Sequence, residues 1–162
     1  MTADPFRVST PAEAASVVDY FNAFHDGFIR RLTLVSHDVH ESRHAHLTTG
    51  RLDLEIVFAH CNYRQGQPGP EQLVEARFER IADLAIAFTG QPADWPILSF
   101  EIEPAPDAPS GGAPALVARL VQPRLIDNRR WEHVQALSFR FASATFREEP
   151  AAARSSAAAP DG

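Results

Sequence analysis

Five of the seven histidines fall between His25 and His46, and four of those lie in the run His37-Asp38-Val39-His40-Glu41-Ser42-Arg43-His44-Ala45-His46. Neutral imidazoles are ordinary ligands for zinc and nickel. His44 and His46 share a face if this segment is extended, whereas His40 and His44 share one if it is helical. A structural metal site needs three or four ligands held rigidly. The plainer role for the run is therefore a solvated loop between two strands, binding metal only adventitiously.

A second constellation emerges when strands are paired. If Phe28–Ser36 and the strand that includes Leu52–Phe58 form an antiparallel hairpin, His25 falls opposite His60, at the end away from the histidine-rich run. Asp26, Cys61, Asn62 and Tyr63 collect at the same end. Two imidazoles, a carboxylate and a thiol make a zinc site through His25, Asp26, His60 and Cys61, or a thiol activated by histidine. The alternative has Asp26 ending a helix, Asn62 shaping a turn, and both histidines half-buried and hydrogen-bonded. A register slip of one residue sends every side chain to the opposite face, so the geometry decides between these.

Carboxylates recur on the strands: Asp53, Glu55, Glu75, Glu79, Glu101 and Glu103. A pair such as Glu101 and Glu103 would serve as acid and base in glycoside hydrolysis. Their commoner role is to keep one face of a sheet wet, with Arg77 and Arg119 pairing across strands. Two tryptophans stand apart from the strand cores: Trp95 in a Pro-flanked loop and Trp131 after a turn at Asp127-Asn128. Exposed tryptophans are typical anchors for a partner. Signatures for dinucleotide binding, phosphate loops, the serine elbow and zinc peptidases are absent from the sequence.

Composition narrows the classes further. The 162 residues amount to one domain, 44% of them hydrophobic and 22% charged, enough for a core. All 15 basic residues are arginine, which removes lysine Schiff-base and phosphate-loop chemistry and matches the codon bias of a high-GC bacterium. A net charge of −6 argues against nonspecific binding to nucleic acid or anionic membrane. With a single cysteine there is no internal disulfide, and without a basic leader or a long apolar run the expected location is the cytoplasm.

The elements that must position these residues read clearly in places. Thr10-Pro11-Ala12-Glu13 has the form of a capped helix start, and Ala14, Val17, Val18, Phe21 and Phe24 continue at helical spacing, giving a helix over 11–24 that stops at Gly27. From Phe28 the period becomes two. Strands are expected at Phe28–Ser36, Leu52–Phe58, Val74–Glu79, Leu84–Phe88, Leu98–Glu103, Leu116–Val121 and Leu137–Phe146. Segments 64–70, 90–96 and 104–114 are rich in Pro, Gly and polar residues and read as loops. The expected fold is α+β, one N-terminal helix on a mainly antiparallel sheet of about seven strands, with an open β-barrel or sandwich as the alternative. Residues 1–147 form the domain, and 148–162 an Ala/Pro/Ser-rich disordered tail.

Phe24-His25-Asp26-Gly27, the alternating Leu52–Phe58 strand and the Phe78-Glu79-Arg80-Ile81 step together resemble small bacterial families that open with a Phe-His-Asp turn and continue as antiparallel strands. Some of these are immunity proteins of polymorphic toxin systems. The resemblance implies stoichiometric binding of another protein, with no catalysis and no cofactor. An acidic chain would suit a basic toxin presented to its polar, acidic sheet face or its loops. The competing expectation is a metal- or small-molecule-binding domain at the His25/Asp26/His60/Cys61 cluster. Self-association that covers sheet edges is a third.

Overall fold

The structure, a computed structural model, describes residues 5–42, 45–47, 49–61, 71–87, 96–107, 115–127 and 130–149, with side chains of 39–42, 45–47 and 125–127 left aside. The chain runs β1 (Phe6–Val8), α1 (Pro11–Tyr20), a short turn at Asn22–Phe24, β2 (Phe28–Ser36), β3 (Val39–Ser42), β4 (Ala45–Leu47), β5 (Leu52–Cys61), β6 (Glu71–Glu79), β7 (Ala82–Ile86), β8 (Ser99–Pro104), β9 (Leu116–Asp127), β10 (Arg130–Phe141) and β11 (Ser143–Glu149). One antiparallel sheet has the order β1-β11-β6-β5-β2, a second the order β7-β10-β9-β8, and β3 and β4 form a two-stranded ribbon. The fold is α+β, as expected, with open sheets.

Helix α1 starts as its sequence dictates. The Thr10 hydroxyl accepts from the Glu13 amide, while the Glu13 carboxylate accepts from the amides of Thr10 at 3.0 Å and Ser9 at 2.8 Å. The helix ends at Tyr20, earlier than expected, because Asn22, Ala23 and Phe24 take φ of 48°, 51° and 52°. That turn drives Phe24 into the core, where its ring stacks on Phe58 at 4.2 Å and on Phe21 at 4.9 Å. Left-handed backbone is costly for residues with a Cβ. Burial of the Phe21 and Phe24 rings, both fully inaccessible, offsets it.

Gly27 works differently from the helix terminator expected of it: its φ is not among the positive ones. A Cβ there would stand 2.8 Å from the Phe24 carbonyl oxygen and 2.9 Å from that of Ala59. Close approach of two backbones is what requires glycine.

The core lies between the two sheets. Strand β5 turns Leu54, Ile56, Phe58 and His60 inward, and Phe58 meets Phe100 of β8 at 5.5 Å. Phe78 of β6 meets Phe139 and Phe141 of β10 edge-on at 4.8 and 5.1 Å. The chain passes between sheets twice at one place. At the β6–β7 passage the Ile81 amide bonds Leu52, and at the β10–β11 passage the Ala142 amide bonds Glu79. The single strand expected over Leu137–Phe146 is thus two strands in different sheets. Strand β11 also continues through Glu148 and Glu149, paired with Val74 and Leu73, so those residues belong to the sheet rather than to a tail. Residues 150–162 lie outside the described residues, as do the expected loop segments 64–70 and 108–114.

Candidate functional site

Strand β5 faces outward with Asp53, Glu55, Val57 and Ala59, and here alternation alone misleads: Asp53 is 0% exposed. Its carboxylate accepts hydrogen bonds from His37 Nε2 at 2.8 Å, Arg77 at 3.1 Å, Arg51 at 3.3 Å and the Arg80 backbone amide at 3.0 Å. The largest influence on Asp53 is burial, which pushes its carboxyl up. The Arg80 amide, then His37, Arg77 and Arg51, together outweigh burial and hold it well below the usual carboxylate range. Asp53 in turn raises the Arg77 guanidinium. A buried carboxylate behind an imidazole is how a general base is oriented in hydrolases. Here the same carboxylate also holds two guanidiniums and the amide at the inter-sheet passage, so it ties the joint together. The sequence signal was the Arg51-x-Asp53 pair on one strand face, next to Arg77 across the ladder.

The expected meeting of His25 with His60 does not form. Pairing of β2 with β5 begins at Phe28↔Ala59 and shifts register between Ile29 and Arg31, and His25 precedes the ladder. His25 is about half exposed and its Nδ1 lies 3.1 Å from the equally exposed Asp26 carboxylate. His60 is 3% exposed, with the rings of Phe21 and Phe24 each 5.7 Å away edge-on. Cys61 is partly exposed and pairs with Glu71 in the ladder. Among the described residues no group of three or more His, Cys, Asp or Glu side chains is placed to hold a metal. In the β3–β4 ribbon His40 stands opposite His46 in register. His44, Trp95, Asn62, Tyr63 and the side chains of His40 and His46 lie outside the described residues. Glu101 and Glu103 are both exposed on β8, where Glu103 pairs with Arg119 and Glu101 accepts from Ser99.

The outer face of the five-stranded sheet carries both signs: Arg7, Arg31, Arg77 and Arg147 are interleaved with Asp53, Glu55, Glu71, Glu75, Glu79 and Glu149. A depression of about 390 Å³ opens on it, lined in part by Val57.

At the other sheet, β8 pairs with β9 only as far as Val121, and β7 pairs with β10 only from Leu137. Beyond them β9 and β10 continue as a two-stranded ribbon, in which Trp131 pairs with Leu125 and His133 with Pro123. Arg130, Trp131, Glu132 and His133 are all exposed, so β10 is wet on both faces over this stretch, and Trp131 is 56% exposed.

Fold and surface together define an α+β protein of two open antiparallel sheets with a projecting ribbon. No protein-family model, curated protein or solved structure matches the chain. Among the described residues no helix is long and apolar enough to cross a membrane.

Proposed function

We propose that this is a non-enzymatic binding domain that docks another protein through the β9–β10 ribbon, with Trp131 as the anchor. The observation that carries this reading is an indole 56% exposed on a ribbon that runs on past the ends of β7 and β8. Large exposed aromatics contribute little to their own fold and much to an interface when a partner covers them. The net charge of −6 favours a basic partner, since complementary charge speeds encounter. A basic toxin met in the cytoplasm by an immunity-like protein is a partner of that kind, in keeping with the Phe24-His25-Asp26-Gly27 resemblance.

The test is affinity for basic proteins encoded beside this gene, measured by calorimetry with the parent and Trp131→Ala. The expected result is one-to-one binding by the parent, weakened at least about tenfold in the variant, with unchanged melting temperature. Equal binding by both proteins, or no neighbouring product that binds, refutes the reading.

A further inference from the structure

Every charge lining the outer-face depression is engaged by a neighbour except one of each sign. Arg77 reaches Asp53 at 3.1 Å, Glu75 pairs with Arg31 at 3.6 Å, and Glu79 accepts from Ser143 at 3.0 Å and faces Arg51 at 3.8 Å. Glu55 lies across the ladder from Arg77 and feels its charge, but that guanidinium is turned to Asp53. Arg147 lies across the ladder from Glu75, whose carboxylate is turned to Arg31. Among the described residues Glu55 and Arg147 therefore form no ion pair, and both line the same depression of about 390 Å³.

The two are set at a fixed separation. Glu55 is on β5 and Arg147 on β11 with β6 between them, about 10 Å across the sheet at ordinary strand spacing, and they are one row apart along the strands. Strands hold such groups more firmly than loops do. Between them on β6 stand Arg77 and Glu75, turned to Asp53 and Arg31, while Val57 beside Glu55 on β5 and Thr145 beside Arg147 on β11 line the other two corners.

We infer that this depression is a binding site for a small zwitterion: a short chain with an ammonium group at one end and a carboxylate or phosphate at the other. Arg147 presents a planar fork that matches carboxylate and phosphate oxygens, and Glu55 accepts from the ammonium. The linker of such a molecule crosses β6 past Arg77 and Glu75, whose charges are already engaged by Asp53 and Arg31, with Val57 at its flank. The site is independent of the Trp131 ribbon, which belongs to the other sheet.

The experiment is a nitrogen-edited NMR titration of the full chain with ε-aminocaproate, and with hexanoate and hexylamine as single-charge probes of the same chain length. The parent protein is expected to show saturable shifts confined to β5, β6 and β11 with the zwitterion, and at least about tenfold weaker binding of either single-charge probe. Glu55→Gln and Arg147→Gln are each expected to weaken zwitterion binding about tenfold while leaving the melting temperature and the rest of the spectrum unchanged. Hexanoate binding as well as the zwitterion, shifts scattered over the surface, no saturation, or binding indifferent to either substitution overturns the inference.

Discussion

Replacing Asp53 with asparagine keeps the shape of the side chain and removes its charge. In the parent that carboxylate is fully buried and accepts from His37, Arg51, Arg77 and the Arg80 amide. The asparagine has one acceptor oxygen and turns an NH₂ group toward donors. Loss of a hydrogen bond to a charged group costs about 1.5–3 kcal/mol, and stripping one partner from a fully buried ion pair about 3–5 kcal/mol. The side chains of His37, Arg51 and Arg77 are 31%, 38% and 46% exposed, so water recovers part of what they lose. The expected cost is about 2–3 kcal/mol, or about 5–10 °C in melting temperature for a chain of this size. The pH dependence has a definite sign. Because folding lowers the Asp53 carboxyl below its ordinary value of 3.8, its contribution is complete above that pH and is lost as pH falls below it. Thermal unfolding followed by circular dichroism from pH 7 down to pH 3 should show a constant gap between parent and Asp53→Asn that narrows only below about pH 4. A gap under about 1 °C at neutral pH, or one that widens on acidification, refutes the argument that the ionised carboxylate ties the joint.

Two backbone predictions follow from the turn between α1 and β2. Ala23, at φ 51° and ψ 25°, should gain about 1 kcal/mol on change to glycine, read as a raised denaturation midpoint; a loss would contradict the strain assigned to it. Gly27→Ala must force the Phe24 or Ala59 carbonyl aside and should cost about 3 kcal/mol; a variant as stable as the parent would show that the approach of 2.8 Å relaxes freely.

The helix start was legible because Thr10 and Glu13 act locally, and the strands because alternation survives wherever one face is dry. The crossing at Ala142 has only a faint signal: Phe141-Ala142-Ser143 contains no Gly or Pro, and the one mark of the change of sheet is a phase slip in the alternation, from Leu137, Phe139 and Phe141 to Ala144 and Phe146. The meeting of His25 and His60 failed for a related reason. Ser36 pairs with Leu52, so the ladder is displaced along its whole length, and the turn at Asp26, with its positive φ, is held by a backbone hydrogen bond to Ile97, far away in the chain. Asp53 looked like one more surface carboxylate because the local Arg51-x-Asp53 pair does not say that Arg77, His37 and the Arg80 amide will close over it as well. Trp131 was legible as an anchor candidate, and the structure adds the ribbon that carries it.

The inter-sheet joint also orders the events of folding. Leu52, Arg80 and Ala142, which meet there, are spread along most of the polypeptide, and closing loops of that length is slow compared with forming a hairpin. Strand β6 receives its second neighbour only when β11 has been synthesised. Until then a nascent chain carries the edge of β6 and the apolar faces of β5 and β6 bare. Ribosome-bound chains that stop short of β11 should therefore be the species most prone to associate with chaperones or with each other.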